Sequence, residues 1–400
     1  MRPMARPIPI SKVTIWQLAI PLRQRFRHAG AERSVAEPLI VAVELADHTV
    51  GYGETHPRPY VTGETAEQAV ATIADIFAPL LIEMHPASFI EAVEAAANLP
   101  LTDAQGRVVT AARAAVELAL LDAYSRAFGR PIDTIAGWLG EAWLGSPGSS
   151  GTARYSGVVS AVAPRRAAWS IRKMRLPRLP HFKLKVGDDD DDARVRQAIR
   201  VLHRGLESGR VTLRLDANGA WGLDEAAERL EGWQDQPILC VEQPLPKGAA
   251  SAWGELACRT TLPLMADESL VTPADAEALI ACDGAAWFNI RISKNGGLIP
   301  AVQLAMTARR HQIEYQLGCM VGETGILSAA ARWFLQMVPG VQIVEGSFGT
   351  FLLSEDVTRP SVRFGFGGRW KPMTGPGLGV TVDESRLERL AIVAPIRIPF

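Results

Sequence analysis

The spacing of apolar and polar positions changes along the chain, and each change predicts a different kind of element. Near the start, Val13-Thr14-Ile15-Trp16 and Leu39-Ile40-Val41-Ala42-Val43-Glu44-Leu45 are β-branched and apolar, and Gly51-Tyr52-Gly53-Glu54 closes the second run with a turn signal. Between the runs lies a polar segment, 21–37, read as a loop, and a second loop follows at 56–65. From 65 to 128 the period becomes helical. Ala112, Ala115, Val116, Ala119, Leu120 and Ala123 recur at i, i+3 and i+4, and Gly129-Arg130-Pro131 stops the run. This portion predicts a small antiparallel sheet followed by helices.

A Gly/Ser-rich stretch at 140–152 marks a boundary. Beyond it, short apolar strands are predicted near 154–160, 181–186, 211–216, 238–242, 262–267, 287–292, 313–318 and 341–345, separated by helical stretches such as 188–208 and 223–234. Strands alternating with helices imply βαβ units and a parallel sheet. Eight of them at this spacing fit a closed (β/α) barrel better than an open doubly wound sheet. The tail, 379–400, returns to short mixed segments that can fold back onto the first domain.

Composition narrows the function. Apolar residues make up 48% of the 400, enough for a sizeable core. Basic and acidic residues number 42 and 43, for a net charge of −1, and no basic tail or stripe stands out in the sequence. That argues against nucleic acid or an anionic membrane as partner. The four cysteines, 240, 258, 282 and 319, show neither zinc-ligand spacing nor a disulfide framework, and read as buried thiols. No signal-peptide core and no membrane-length apolar run occurs, so a cytoplasmic protein is expected. Only seven lysines stand against 35 arginines, which makes two lysines at spacing i, i+2 conspicuous.

The chemistry concentrates at strand ends. Asp216 in LRLDANG, Glu242 in CVEQPL and Asp267 in LMADES lie one βα unit apart. In a parallel barrel such positions stand side by side on the rim where active sites form. A lone acid there reads as a cap for the next helix. Three in phase would repel one another unless a cation sits among them, and an all-oxygen set points to a hard ion such as Mg²⁺, with Mn²⁺ as a possible substitute. Asn218, Glu268 and Ser269 are candidates for support or capping. On the second barrel strand, His181-Phe182-Lys183-Leu184-Lys185-Val186, period two puts Lys183 and Lys185 on one face. Two ammonium groups so placed disfavour each other's charge, so at least one pKa should fall, and Lys185, nearer the rim, becomes a candidate general base.

Lys-x-Lys followed by Asp, Glu and Asp at βα spacing resembles the enolase superfamily, in its muconate-lactonizing-enzyme-like branch. GYGE at 51–54, the helix ELALLDAYSRAFGRP at 117–131, and NGGL after the sixth strand strengthen the resemblance, which spans nearly the whole chain. It implies a modified (β/α)₇β barrel over about 150–375 and an α+β capping domain over 1–135, completed by 376–400. It also implies Mg²⁺ held by Asp216, Glu242 and Asp267, and a small-molecule carboxylate substrate. The α-proton would be taken by Lys185, tuned by Lys183, to form an enediolate. Family habit adds a homo-oligomer.

One position departs from the family pattern. Where relatives usually place a second catalytic lysine, Phe288-Asn289-Ile290-Arg291-Ile292-Ser293-Lys294 puts Arg291 in the slot. Strand parity groups Asn289, Arg291 and Ser293 on one face, leaving Lys294 on the other or in the loop. An arginine is no base at useful pH but can hold an anion by a bidentate hydrogen bond. The expectation is therefore a one-base reaction, a cycloisomerisation or a syn-eliminating dehydration. The alternatives are a racemase or epimerase of a dipeptide or N-acyl amino acid, with Lys294 as the other base, and a non-catalytic binding protein on the same barrel. Glu323 in the seventh-strand stretch is expected to face the site as a proton relay or to cap the next helix. Cys319 is a less supported nucleophile. The loops at 21–37 and 56–65, with Arg23, Arg25, Arg27, Arg58 and Tyr60, would close the site and hint at an anionic or polar substrate. The five acids 188–192 read as a solvated helix N-terminus rather than a second metal site.

Overall fold

The structure is a computed structural model describing residues 6–28, 31–145, 152–160, 163–248 and 250–400, with the side chains of 24–28, 31 and 32 excepted. The predicted boundary segment, 140–152, falls partly outside the described residues, and so do the side chains of Arg25 and Arg27.

The first part builds a sheet from β1 (Ile10–Gln17), β4 (Leu39–Leu45) and β5 (Val50–Thr55), with a hairpin of β2 (Ile20–His28) and β3 (Ala31–Ala36) between β1 and β4. The loop expected at 21–37 is therefore a hairpin. Its signal is present in the sequence, because apolar Ile20, Leu22 and Phe26 alternate with Arg23, Arg25 and Arg27. Three arginines in the run disguised a strand period as loop polarity. Helix α1 (Thr110–Ala127) is buried on every side through Ser125 rather than along one stripe, as befits a helix enclosed by other elements. It lies so close to β5 that a Cβ on Gly53 would sit 1.9 Å from the Ala115 carbonyl oxygen, and one on Gly51 2.1 Å from the Ala123 nitrogen. The glycines of GYGE are there for this approach.

Eight parallel strands then close into a barrel: β6 (Arg154–Val159), β7 (His181–Lys185), β8 (Thr212–Asp216), β9 (Val241–Glu242), β10 (Leu264–Ala266), β11 (Trp287–Ile290), β12 (Glu314–Leu317) and β13 (Ile343–Val344). Strand β13 pairs back onto β6 through Ile343 and Arg154. The outer helices are α2 (Pro164–Arg175), α3 (Asp191–Glu207), α4 (Leu223–Trp233), α5 (Ala250–Cys258), α6 (Pro273–Ala281), α7 (Leu298–Arg310) and α8 (Gly325–Met337). The chain ends in β14 (Ile396–Pro399), which pairs antiparallel with β1, Val13 opposite Ile398. Among the described residues no helix is long and apolar enough to cross a membrane.

Buried carboxylates fasten the sheet domain to the barrel. Glu54 accepts hydrogen bonds from the Thr324 and Leu327 amides at the start of α8 (2.7 and 3.0 Å). Glu117 accepts from the Leu298 and Ile299 amides at the start of α7 (2.6 and 2.9 Å). Each anion meets unpaired N–H groups and the positive end of a helix dipole. Gly297, at φ +125°, is required there, since a Cβ would lie 2.2 Å from a Glu117 carboxylate oxygen. The hairpin is tied in as well, with the Arg23 guanidinium donating to the Leu353 and Ser354 carbonyls after β13. The start of the hairpin is thus fastened to the segment that follows β13, and the 56–65 loop meets the barrel through the His56 amide, which donates to Ser293 Oγ (3.0 Å).

Candidate active site

Strand register brings the predicted residues together. Lys185 stands opposite Asp216, and Asp216 opposite Glu242, while Asp267 follows the last residue of β10. Asp216 Oδ2 lies 2.6 Å from Lys185 Nζ and 3.1 Å from Lys183 Nζ. Lys183 Nζ also reaches Glu242 Oε1 at 3.1 Å and Glu345 Oε1 at 2.8 Å. The Arg291 guanidinium contacts Asp267 and comes within 3.7 Å of Glu242. Lys294 Nζ donates to Asp267 Oδ1 (2.9 Å), the Asp267 carbonyl (2.7 Å) and the Asn289 carbonyl (2.8 Å). Cations and carboxylates therefore interleave around the rim.

Of the pair, Lys183 is not the member whose pKa falls. Lys183 is buried, which works against its charge, but Glu242, Glu345 and Asp216 outweigh burial and raise its pKa above the ordinary lysine value. For Lys183, repulsion from its neighbour is thus outweighed, and Asp216 Oδ2 sits within hydrogen-bonding distance of both lysines. Asp216, although buried, is held strongly ionised by Lys185 and Lys183. Among the four basic side chains of the rim, Lys185 is the most exposed, at 12% against 3% for Lys183, 9% for Arg291 and 0% for Lys294.

Around this centre lie the supporting groups. Asn218, in the left-handed region at φ +48°, accepts from Lys185 Nζ at 2.6 Å and donates to Glu268 Oε1 at 3.1 Å. The other Glu268 carboxylate oxygen and Asn289 Oδ1 are buried without a hydrogen-bond partner. Tyr60, Asn218, Gln243, Pro246, Lys247 and Glu268 line a recess of about 280 Å³. Lys247 Nζ donates to the Val61 carbonyl (2.9 Å), which brings the 56–65 loop over this recess.

Two family descriptions match the chain: Mandelate racemase / muconate lactonizing enzyme, N-terminal domain, over residues 10–137, and Enolase C-terminal domain-like over residues 166–386. The chain belongs to the enolase superfamily, in its muconate-lactonizing-enzyme-like branch. It is 28% identical to muconate cycloisomerase 1-2 of Acinetobacter lwoffii, over 97% of this chain and 96% of that one. It is 32% identical to the L-Lys-D/L-Arg epimerase of Methylococcus capsulatus, over 91% and 96%. In fold it resembles the N-succinyl Arg/Lys racemase of Bacillus cereus, with a TM-score of 0.83 at 24% identity, covering 98% of this chain and all of that one. This superfamily member is thus an enzyme of isomerase or lyase type.

Members of the family generally bind a divalent metal. Among the described residues, no three acidic, histidine or cysteine side chains are grouped to hold an ion, because each rim carboxylate is drawn onto a lysine or arginine. In chemistry, however, Asp216, Glu242 and Asp267 fit such an ion: three hard oxygen donors on adjacent strands, flanked by the unpartnered oxygens of Glu268 and Asn289. The argument from repulsion alone loses its force, since Lys183 and Arg291 already supply counter-charge.

Other expected residues fall into place differently. Strand β11 ends at Ile290, so strand parity does not extend to Lys294. A turn returns it to Asp267, while Ser293 bonds Thr55 Oγ1 (2.9 Å) and the His56 amide (3.0 Å) of the other domain. Glu323 accepts from the Met320 amide in its own turn (2.7 Å), and Thr324 rather than Glu323 caps α8. Burial, with Glu323 beside it, pushes the Cys319 thiol well up, unlike an activated nucleophile. Only Cys240 of the four cysteines is fully buried, and Cys258 is exposed. Asp191, from the acidic run, is buried rather than solvated, where it accepts from the Gly187 amide and pairs with Arg194 and Arg229.

Several residues of the site carried no motif. Glu345, one residue past β13, bridges Lys183 and the fully buried Arg214, and burial is outweighed by these cations, which hold its pKa at about 2. Gln243 Oε1 accepts from the Asp267 and Ser269 amides (3.1 Å each) and fixes the turn that presents Asp267. The period-two position of Arg214 below Asp216 was the available signal for it; for Gln243 there was none.

Proposed function

We propose that the enzyme takes the α-proton of a small carboxylate with a single base, Lys185, and completes a cycloisomerisation or a syn elimination on one face of the substrate. The observation that carries this reading is the side chain opposite the lysine pair. Arg291 occupies that position and cannot be deprotonated at useful pH. Lys294 is fully buried and tethered to the Asp267 turn through three oxygens at 2.7–2.9 Å, while burial and the Arg291 charge push its pKa well down. Lys185, the most exposed of these side chains, is left as the base, held against Asn218, which lines the recess.

The remaining residues act by charge and position. Asp216, Glu242 and Asp267 would hold Mg²⁺, which would supply positive charge for the substrate carboxylate. Lys183, kept charged by three carboxylates, adds to the field that stabilises negative charge as the proton leaves. Asn218 orients the Lys185 amine, and the Arg291 guanidinium can hold a substrate oxygen by a bidentate hydrogen bond. Tyr60 and Lys247 close the recess from the loop side.

A second reading, epimerisation of a dipeptide or N-acylated amino acid, is favoured by the relatives that carry such names and by Lys294 lying beside Asp267. It requires Lys294 to act as a neutral amine, which its lowered pKa favours, and to release one of its three hydrogen bonds. Incubation with Mg²⁺ in D₂O, against muconate, dipeptides and N-succinyl amino acids, separates the two. One-base chemistry predicts turnover, with deuterium entering one face and no inversion. Equal exchange into both enantiomers would establish the epimerase and sink the single-base proposal. Lys185→Ala should lower kcat by about 10³-fold or more with the circular dichroism spectrum unchanged; retained turnover refutes the assignment of the base.

A further inference from the structure

The arginines that look evenly scattered in sequence gather on one side of the folded barrel. Helix α2 carries Arg165, Arg166, Arg172, Lys173 and Arg175 and no acidic residue. On its neighbour α3, Arg196, Arg200 and Arg204 recur every four residues, so they share a face, and all are exposed. Exposed arginines elsewhere, such as Arg259, Arg310 and Arg359, meet a carboxylate at 2.7–2.8 Å. Among the described residues, the side chains of Arg165, Arg166, Arg172, Arg196, Arg200 and Arg204 meet none. Between the two helices lies a recess of about 390 Å³ lined by Arg175, Arg200, His203 and Arg204. Like charges gathered in this way repel one another unless an outside anion lies among them.

The same side of the barrel carries the three most exposed large apolar side chains of the described residues. Leu176, which caps the C-terminus of α2, is 78% exposed, Trp169 62% and Phe366 61%. Trp169 and Leu176 stand two helical turns apart on the ridge opposite Ala167, Ala168 and Ile171, which α2 buries against the barrel. Phe366 belongs to a turn held at the end of α2, where the Gly367 amide donates to the Pro177 carbonyl (2.7 Å). Each exposed ring has a cation over it: Lys173 Nζ lies 5.3 Å from the Trp169 centroid and the Arg178 guanidinium 5.5 Å from that of Phe366.

We propose that the α2–α3 face docks on a membrane surface that carries anionic phospholipid. Guanidinium groups without a carboxylate of their own take lipid phosphates as partners, by bidentate hydrogen bonds and by charge. Trp169 lies at the headgroup boundary, and Leu176 and Phe366 reach the start of the acyl chains. A dissolved phosphate or a nucleic-acid backbone would answer the cations alone. Leu176, projecting from the same ridge, calls for an apolar phase beside the charge. The net charge of −1 argued against such a partner only as a sum. In space the acids lie elsewhere, with Asp224, Glu225, Glu228 and Glu231 exposed on α4, where an anionic surface repels them and so fixes which flank is presented. Arg178 precedes the start of β7, whereas Lys185 ends that strand, so a docked molecule keeps its active site uncovered.

Co-sedimentation of the full chain with vesicles tests this. The wild type should pellet with vesicles of phosphatidylglycerol and phosphatidylcholine in equal parts and stay in solution with phosphatidylcholine alone. Binding should disappear at about 1 M NaCl, where the Debye length is about 3 Å. Arg200→Glu with Arg204→Glu should lower the partition coefficient at least about tenfold, and Trp169→Ser with Leu176→Ser should lower it by about as much. All four positions are exposed, and an unchanged circular dichroism spectrum separates lost docking from lost folding. Failure to bind anionic vesicles, equal binding to both compositions, or binding indifferent to either pair of substitutions overturns the proposal. So does binding that a few millimolar inorganic phosphate abolishes, because a dissolved anion would then be the ligand. An oligomer without vesicles that dissociates on Arg200→Glu with Arg204→Glu overturns it as well, since another copy would then cover the face.

Discussion

His181 opens the strand that carries Lys183 and Lys185, and it makes the stability of that strand depend on pH. Its Nδ1 lies 2.8 Å from Thr212 Oγ1 on β8. Burial first, and then the Arg214 and Arg154 charges, push its pKa down from 6.5 to about 4. The folded protein thus holds the imidazole neutral, while the unfolded chain takes up a proton near 6.5. Between those two values the unfolded state binds more protons, so stability rises with pH across the window; it is fully present above 6.5 and lost as pH falls towards 4. Applying the linkage relation to these two pKa values gives a loss of about 2.5 kcal/mol between about pH 7 and about pH 4.5. Urea unfolding of the wild type and of His181→Asn at both pH values isolates the contribution, because the titration of every other group cancels in the double difference. Asn keeps a partner for Thr212 and has no charge to gain. The wild type should lose about 2.5 kcal/mol more than the variant on acidification. An equal loss in the two proteins would refute the assignment of a neutral, desolvated imidazole at the foot of β7.

Other perturbations probe the remaining devices. Gly297→Ala drives a Cβ into the Glu117 carboxylate at 2.2 Å and should cost about 3 kcal/mol or more in thermal or urea unfolding. Gly137→Ala, in the helical segment Thr134–Leu139 with nothing within 4 Å, should stabilise by about 0.5 to 1 kcal/mol; comparable losses in both would mean that the close approach to Glu117 is unimportant. Glu345→Gln removes an anion from between Lys183 and Arg214 and should destabilise by about 3 kcal/mol or more, and a change under about 1 kcal/mol would show that Glu242 and Asp216 suffice for both cations. Mg²⁺ at about one hundred times its Kd should stabilise the fold by about 2.7 kcal/mol in a thermal melt, the shift vanishing with EDTA and in Asp267→Asn; an identical shift in Asp267→Asn would remove that carboxylate from the metal site.

How much of this was legible in the sequence depended on whether a feature repeats. The ladder Asp216, Glu242, Asp267 was legible because the βα repeat turns sequence spacing into angular position around a barrel, and strand register realises it. The pairing of Lys183 with Lys185 followed from strand period, and the outer helices from helical period. Features resting on a single residue across the barrel had no such support. Glu345 meets Lys183 only because β13 closes beside β6, and nothing at 345 says which strand will lie opposite. Lys294 was left open between the far face and the loop for the complementary reason: strand parity says nothing past Ile290, where hydrogen bonding to the sheet stops and a turn governs direction.

Charge shows the same division. Counted along the chain, carboxylates at the rim require a cation and basic residues look dispersed. In space, the rim carboxylates meet Lys183, Lys185, Arg291 and Lys294, while arginines distributed over two helices share one face. The need for counter-charge is therefore met within the chain, and the case for a metal rests on hard oxygen donors in phase and on family membership. That distinction bears on Arg291. Were electroneutrality its only task, lysine would serve equally, and Arg291→Lys would leave turnover within about a few-fold of the wild type. If its work is to hold a substrate oxygen through two parallel N–H groups, the substitution loses one of them and kcat/KM should fall by about tenfold or more, about 1.4 kcal/mol. A new amine at that position could also take protons from the second face. Deuterium entering both faces in Arg291→Lys, but only one in the wild type, would tie the single-base outcome to this side chain, and one-face exchange in both would place the cause elsewhere in the site.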